Sequence, residues 1–332
     1  MCIRDSPYPM LVLTGGDCFE RPDLVDLIEY AVGKGLHVSI SPSVTPLFTR
    51  ERVKAVQDAG VSVMSMSLDG GSAETHDAFR GFPGTFDRTI EACHMLNELG
   101  MRFQLNTVFT AKNIHEAPQM LKNAIDLGAF MFYTFMLVPT GRGQHLDMLT
   151  PHEREDVLYW LHDNSTRIAI KTTEAPQYRR IAFQREAVRQ GKAAPAKHGE
   201  LYHWLTKETH ELLGENIEEP RPPRTPLAIN SGSGFAFIDH TGDVYPSGFL
   251  PIHCGSIKDT PFPQIYRESE VFRALRNPSG FEGKCGACEF NHFCGGSRST
   301  AYAMTGNYLA SDPSCAHIPA GYTGELPEGI ER

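Results

Sequence analysis

Hydrophobic and polar positions repeat in a fixed order along the first half of the chain. An amphipathic helical stretch is followed by glycine, an apolar residue and a β-rich run, as in "VGKGLHVSISPS" and "QDAGVSVMSMS". Glycine suits the end of a helix because it accepts the left-handed conformation of a C-terminal cap. Thr49 and Ser72 are predicted N-caps of later helices. The glycines that mark the four helix ends are Gly35, Gly60, Gly100 and Gly128.

This alternation of helix and strand predicts βα units and a parallel sheet. Five strands are counted, from "MLVLTGG" at 10–16 to the apolar run at 130–138. A doubly wound sheet and a partial barrel both fit the pattern. In either case the loops that follow the strands would carry the chemistry.

The pattern changes after residue 150. "TPHEREDVLYWL" and "QYRRIAFQREAVRQ" predict helices with polar outer faces. The segment 218–226, "EEPRPPRTP", has four prolines in nine residues and is the predicted domain boundary. Beyond it, "GFAFIDHTGDVYPSGF" predicts a hairpin with its turn at Thr241–Gly242.

Composition and charge narrow the function. The chain has 332 residues, 41% of them hydrophobic, and a net charge of −9. An acidic chain is not expected to have nucleic acid as its main partner, because phosphate binding needs clustered Lys and Arg. The longest strongly apolar run, 129–138, has ten residues, whereas a span needs about 20. Residues 1–10 lack a signal-peptide pattern, so a soluble cytoplasmic protein with no membrane partner is expected.

Cysteines cluster in the C-terminal stretch "GKCGACEFNHFCGGSRS". Cys285, Cys288 and Cys294 form C-x2-C-x5-C, and Cys315 follows after 20 further residues. In a cytoplasmic protein, clustered cysteines are more often metal ligands than disulfides. Zinc and an iron–sulfur cluster both use such short spacings, and the spacing leaves both open. The remaining cysteines are scattered: Cys2, Cys18, Cys93 and Cys254.

These cysteines and several motifs in the first half resemble one enzyme family. C-x2-C-x5-C with a distant fourth cysteine is similar to the SPASM domain of radical S-adenosylmethionine (radical SAM) enzymes. "LTGGD" (13–17), "SLDG" (67–70), "THDAFRG" (75–81) and "GDVYPSGF" (242–249) also resemble that family. The resemblance covers nearly all of residues 10–319, and the cysteine pattern with "SLDG" and "THDAFRG" is its specific part.

The resemblance implies a fold and a set of domains. The fold is a partial (β/α)6 TIM-like barrel lacking its first βα unit, followed by a small cysteine-rich α+β domain of SPASM type. The implied domains are the barrel at 7–149, with strands 2–6, a helical linker region at 150–225, the iron–sulfur domain at 226–319 and a tail at 320–332.

The resemblance also implies where S-adenosylmethionine binds. The backbone at Gly15, Gly16 and Asp17 would receive its amino group, since glycines let a ligand approach the main chain closely. Ser67 and Arg80 would contact its carboxylate or ribose, and Leu137 would lie by the adenine. Asp69 could contact the ligand or cap the next helix.

Departures from the family pattern limit the clusters expected. A full SPASM domain has two auxiliary clusters, and Cys285, Cys288, Cys294 and Cys315 match the ligands of the second. Arg298 and Ser247 stand where the first cluster takes cysteines, and Cys254 alone cannot hold a cluster. The resemblance therefore implies one auxiliary 4Fe–4S cluster.

The motif that binds the catalytic cluster of this family, C-x3-C-x2-C, does not occur in the sequence, and "MCIRDS" at 1–6 matches nothing in the family. The expectation is an N-terminally truncated chain. A catalytic 4Fe–4S cluster is then expected only in a full-length parent.

The implied activity is reductive cleavage of S-adenosylmethionine to a 5′-deoxyadenosyl radical that abstracts hydrogen from a substrate. The substrate would be a tetrapyrrole side chain, as in haem or haem d1 biosynthesis, or a peptide, and the electron donor a flavodoxin or ferredoxin. Gly248 disfavours sulfatase-maturing chemistry, because those relatives have an acid there.

"KTTEAPQYRR" (171–180) resembles a tetrapyrrole-group segment, with Glu174 where that group has Cys. Lys171, Arg179 and Arg180 could pair with propionates, or be a solvated helix start. The alternative function is an inactive, zinc-stabilised binding protein.

Overall fold

The computed structural model describes residues 9–215 and 228–331. The predicted proline-rich boundary at 218–226, and Cys2, lie outside these ranges.

The strands are β1 Met10–Leu13, β2 His37–Ile40, β3 Val61–Ser67, β4 Phe103–Phe109, β5 Met131–Met136, β6 Ala169–Thr173, β7 Phe237–Ile238 and β8 Val244–Tyr245. The α-helices are α1 Leu24–Gly33, α2 Arg50–Asp58, α3 Ala73–Arg80, α4 Thr85–Glu98, α5 Ala117–Asp126, α6 Pro151–Asp163, α7 Gln177–Arg189, α8 Glu200–Leu213, α9 Phe262–Glu268, α10 Glu270–Leu275, α11 Gly283–Ala287 and α12 Arg298–Thr305.

The six strands β1 to β6 form one parallel sheet in the order β1-β2-β3-β4-β5-β6. A doubly wound sheet reverses its strand order at a switch point, and this sheet does not. Because parallel crossovers are right-handed, a uniform order places the connecting helices on one face. The sheet is a curled half-barrel, which confirms the partial TIM-like barrel and excludes the doubly wound alternative.

The predicted count of five strands was wrong by one. The sixth, β6, pairs with β5 over five residues and lies in the segment assigned as a helical linker. The segment before β6 differs from the helix–glycine–strand repeat, because a short 3-10 turn at Asn164–Thr166 precedes the strand in place of a glycine-capped helix end. The two helices predicted in this segment are present as α6 and α7.

The local signals for helix ends are confirmed. The four repeat glycines all adopt positive φ, from 65° to 106°. The side chain of Thr49 accepts a hydrogen bond from the amide of Arg52, and that of Ser72 accepts one from Thr75. Such caps satisfy amide groups that have no partner inside the helix.

The sheet has one buried and one open face. Along β4, Phe103, Leu105 and Phe109 are buried in the core under the helices. The intervening residues, Gln104 and Asn106 among them, are half-buried. A parallel sheet covered on both faces reads as a continuous apolar run, so this alternation marks a face available to a ligand.

The C-terminal part has a small core of its own around Val244, Ile265 and Phe272. Strands β7 and β8 pair antiparallel, and the amide of Gly242 donates to the carbonyl of Asp239 in the connecting turn. The predicted hairpin is therefore confirmed, although each strand has only two residues. In the described ranges, no helix is both long and apolar enough to cross a bilayer.

Candidate cofactor site and cysteine cluster

The residues predicted to bind S-adenosylmethionine lie at one edge of the sheet. Gly15 and Gly16 follow β1, Ser67 ends β3, and Leu137 follows β5. Because the strands are parallel and adjacent in order, their carboxyl ends meet at this edge. The structure thus brings together loops that are far apart in the sequence, such as those of Gly15 and Leu137.

The loop after β1 leaves its glycines open. Gly15 and Gly16 are exposed, and a side chain added at either would meet no atom within 4 Å. The neighbouring Asp17 carboxylate is buried and engaged. It accepts hydrogen bonds from the Thr45 hydroxyl (2.6 Å), the Phe19 amide (3.1 Å) and the Ser43 amide (3.3 Å). Asp17 therefore ties the first loop to the second, and ligand contact is left to the open backbone.

Asp69, in the loop after β3, and Arg80, at the end of α3, form an ion pair. The Asp69 carboxylate is 1% exposed and also accepts from the Val108 amide at 2.7 Å, whereas the Arg80 side chain is 37% exposed. The interpretation of Asp69 as a helix cap is wrong, since Ser72 fills the N-cap position of α3. A buried carboxylate fixes the guanidinium and leaves part of it accessible.

The open face of the sheet carries aromatic and polar side chains that the sequence analysis did not identify, apart from Lys171. The rings of Tyr133 and Phe135 lie 4.6 Å apart, and the Lys171 Nζ atom lies 4.4 Å from the Tyr133 ring centroid. The Gln104 amide donates to Asn106 at 2.9 Å. The polar residues at the second and fourth positions of "FQLNTVF", Gln104 and Asn106, were the available signal.

The four clustered cysteines, Cys285, Cys288, Cys294 and Cys315, line one small cavity. All are free thiols. The Asp312 amide points at the Cys285 sulfur at 3.3 Å, and the Phe290 amide at the Cys288 sulfur at 3.4 Å. Burial raises the pKa of Cys294 to about 11, against the opposing effects of the Gly296 backbone amide and of the Arg180 charge. Such thiols stay protonated near neutral pH unless a metal displaces the proton.

The sulfur spacing tests the kind of metal. A tetrahedral zinc with Zn–S bonds near 2.3 Å requires sulfurs ~3.8 Å apart. In the described residues, the group of three ligand atoms that lie within 4.8 Å of one another is Cys288, Glu289 and His317, and no three of the four sulfurs meet that limit. The cysteine set is wider than a zinc tetrahedron and suits the larger iron–sulfur cluster better.

Buried cations surround the cysteines. Arg180 is 2% exposed and donates to both Glu155 oxygens, at 2.8 and 2.5 Å. Arg179, also buried, donates to the carbonyl of Cys294 at 3.3 Å. The Lys284 ammonium donates to the carbonyl of Cys315. The interpretation of Arg179 and Arg180 as a solvated helix start is wrong, and both turn toward the cysteine cavity.

Arg298 has a structural role. It is fully buried, and its guanidinium donates to the carbonyls of Tyr308 (3.1 Å) and Ala310 (2.7 Å) and lies 3.5 Å from the Cys285 sulfur. These contacts hold the loop that leads to Cys315.

Glu174 connects the barrel to the cysteine-rich domain. It follows β6 with a left-handed backbone, φ 57°, the only non-glycine residue with positive φ in the described chain. Its carboxyl accepts from the hydroxyls of Ser297 (2.6 Å), Ser299 (3.0 Å) and Ser247 (3.4 Å). Burial raises the pKa of this carboxyl, although the hydroxyls act in the opposite direction. Three serines that are distant from Glu174 in sequence thus donate hydrogen bonds to its side chain.

Comparison with known proteins was made on sequence and on structure. Residues 3–124 match the radical SAM superfamily. The AdoMet-dependent heme synthase of Oleidesulfovibrio alaskensis is 39% identical over 94% of this chain and 75% of its own length. That of Methanosarcina barkeri is 38% identical over 94% of this chain and 83% of its length. The structure of Streptococcus suis SuiB is similar with a TM-score of 0.62 and 13% identity, over 92% of this chain and 66% of SuiB.

Proposed function

The chain belongs to the radical SAM superfamily, and we propose that it is a radical SAM/SPASM enzyme that modifies a tetrapyrrole side chain. The observation that carries this proposal is its 38–39% identity to three heme synthases over 94–96% of the chain. The chain spans 75–83% of their length. A relative at 28% identity is named pre-heme d1 synthase, and this name also indicates a tetrapyrrole product.

Several residues would hold S-adenosylmethionine. The open backbone at Gly15 and Gly16 suits its amino group, and the accessible part of Arg80 suits its carboxylate. Ser67 and Leu137, at the same sheet edge, would contact ribose and adenine. In this family the cofactor, when bound and reductively cleaved at the catalytic cluster, would supply the radical that abstracts hydrogen from the substrate. The sequence lacks the C-x3-C-x2-C motif for that cluster, so this chain's residues are proposed to bind the cofactor and not to cleave it alone. A flavodoxin or ferredoxin is the electron donor we expect.

The open face of the sheet suits a flat, anionic substrate. Tyr133 and Phe135 offer adjacent aromatic rings for the macrocycle. In the described part of the chain, Lys171 has no carboxylate within ion-pair distance, and its contact is the Tyr133 ring. A propionate could therefore pair with this ammonium without displacing a protein anion. Arg179, Arg180 and Glu174 face the cysteine-rich domain instead.

The four cysteines would hold one auxiliary 4Fe–4S cluster. The wide sulfur spacing and the two amide groups directed at sulfur support this assignment. Metal analysis after anaerobic purification separates the alternatives. About four irons with matching sulfide per chain is the expected result, and one zinc without iron would favour the zinc-stabilised binding protein.

The substrate proposal can be tested by binding, without catalytic turnover. Fe-coproporphyrin III, the product in the name of a 27% identical relative, is titrated by absorbance into the wild type and Lys171→Met. Loss of one charge-assisted bond costs about 1.5–3 kcal/mol, or roughly a ten- to hundredfold weaker Kd. Lys207 is an exposed cation on α8. The control variant Lys207→Met should bind the porphyrin like the wild type.

Two outcomes would contradict the tetrapyrrole substrate. One is no saturable porphyrin binding by the wild type. The other is equal affinity in Lys171→Met together with binding of a precursor peptide, the substrate class named in the PqqA peptide cyclases that are 24–26% identical.

A further inference from the structure

We propose that the buried cation of Lys284 raises the reduction potential of the metal group on the four cysteines, and that Glu155 lowers it by offsetting Arg180. This inference rests on the auxiliary cluster of the proposed function. In this inference Lys284, Glu155 and Arg180, which are not cluster ligands, determine how readily the cluster takes up an electron.

The positively charged side chain of Lys284 is buried, where a charge is poorly solvated. It precedes Cys285, is 2% exposed and lines the cysteine cavity. Its hydrogen-bond partner is the carbonyl of Cys315, which is neutral. In residues 9–215 and 228–331, no carboxylate lies within ion-pair distance of it. A buried ammonium without a counter-ion is strongly disfavoured, so the fold implies an anion in the cavity.

Arg180 differs from Lys284 because its charge is largely offset. Both of its terminal nitrogens reach toward Glu155, whose side chain is 20% exposed. The pair is therefore close to neutral as seen from the cavity. Removing Glu155 would leave Arg180 as an uncompensated buried cation beside the sulfurs.

Four thiolates around a 4Fe–4S core give a net charge of −2 when oxidised and −3 when reduced. A fixed cation stabilises the −3 state more than the −2 state, and the interaction is strong in a poorly solvated site. Net charge and hydrogen bonds to sulfur are established determinants of cluster potential. Lys284 should therefore raise the potential, and Glu155 should lower it.

The experiment is a redox titration of the reconstituted full chain, followed by electron paramagnetic resonance. Lys284→Met should shift the midpoint to lower potential and Glu155→Gln to higher potential. Each shift should change the reduced-to-oxidised ratio at least tenfold, which is about 59 mV for one electron. Lys207→Met, whose side chain is 68% exposed, removes the same charge from the surface and should leave the midpoint unchanged.

The outcomes separate this inference from the function it rests on. A wild type that binds no iron would remove the cluster, and the inference with it. Full iron content with unshifted midpoints, or with two shifts of the same sign, would overturn the inference alone. If Lys284→Met does not fold, Glu155→Gln decides the matter, because Glu155 is partly exposed and, among the described residues, its side chain bonds Arg180 and no group of the cysteine-rich domain.

Discussion

Replacing Glu174 should loosen the cysteine-rich domain from the barrel. The carboxyl is the common acceptor of three serine hydroxyls, those of Ser247, Ser297 and Ser299. All three serines are buried, so water does not readily take its place. Glu174→Ala therefore leaves three hydroxyls without this acceptor, whereas Glu174→Gln keeps the shape and one acceptor oxygen.

The magnitude follows from the geometry. Two of the bonds are 2.6 and 3.0 Å, and the third, at 3.4 Å, is weak. At about 0.5–1.5 kcal/mol for each neutral bond, with more for a buried unsatisfied group, Glu174→Ala should cost about 2–4 kcal/mol. Glu174→Gln should cost about 1 kcal/mol or less. The backbone strain at φ 57° is common to all three proteins and cancels in the comparison.

The pH dependence gives an independent check. The pKa of Glu174 is raised by burial, so the folded state binds more protons than the unfolded state above the ordinary carboxyl pKa of about 4.3. The contribution of Glu174 is thus greatest at low pH and declines as pH rises toward the folded value. The stability advantage of the wild type over Glu174→Gln should shrink between pH 5 and 8, since glutamine does not titrate.

Denaturant unfolding under anaerobic conditions, with hydrogen exchange at residues 297–300, measures both effects. Glu186→Ala, an exposed acid on α7, is the matched control. Equal stability and exchange in Glu174→Ala and the control would refute the argument that these hydroxyls depend on Glu174. A widening advantage over Glu174→Gln at higher pH would refute the direction of the pKa shift.

The remaining predictions concern the metal and the cofactor. Cys288→Ala should make residues 228–331 protease-sensitive while 9–215 stay resistant, because metal binding can supply on the order of 10 kcal/mol in small sites; an unchanged digestion pattern would contradict this. Arg80→Ala should weaken S-adenosylmethionine binding roughly ten- to a hundredfold by calorimetry, and equal affinities would leave Arg80 only its pairing with Asp69. Asp69→Asn, which keeps the shape of Asp69 and loses the ion pair that fixes Arg80, should lower the free energy of unfolding in denaturant and weaken S-adenosylmethionine binding less than Arg80→Ala does; wild-type stability and affinity would contradict this.

Features encoded in adjacent residues could be predicted from the sequence. The repeat glycines, the caps at Thr49 and Ser72 and the turn at Thr241–Gly242 each depend on local backbone preferences, and all are confirmed. Strand order did not follow from the sequence, because right-handed crossovers are compatible with both a doubly wound sheet and a partial barrel, and the structure decides between them. The cysteine spacing predicted which sulfurs lie together at one cavity, because three of the four cysteines are close in sequence.

Features made by distant residues could not be predicted in the same way. Arg180 pairs with Glu155, 25 residues earlier, and the serines whose hydroxyls donate to Glu174 are 73 to 125 residues away from it. Nothing in "KTTEAPQYRR" separates the lysine that faces the open sheet from the arginines that turn to the cysteines. That choice depends on where β6 ends and α7 begins, and β6 was not identified.

The two positions where the family resemblance expects further cysteines are occupied by residues that make hydrogen bonds instead. Arg298 closes the loop around Cys285 through backbone carbonyls, and Ser247 joins the hydroxyls on Glu174. Both residues therefore cross-link segments that metal ligands would otherwise join. Hydrogen bonds are individually weaker than metal–thiolate bonds, but buried networks in which each partner is satisfied fix a unique arrangement. The Glu174 network, together with the Gln177–Asp312 hydrogen bond, then joins the barrel to the cysteine-rich domain. The four cysteines of the cavity are left for the metal group that we propose.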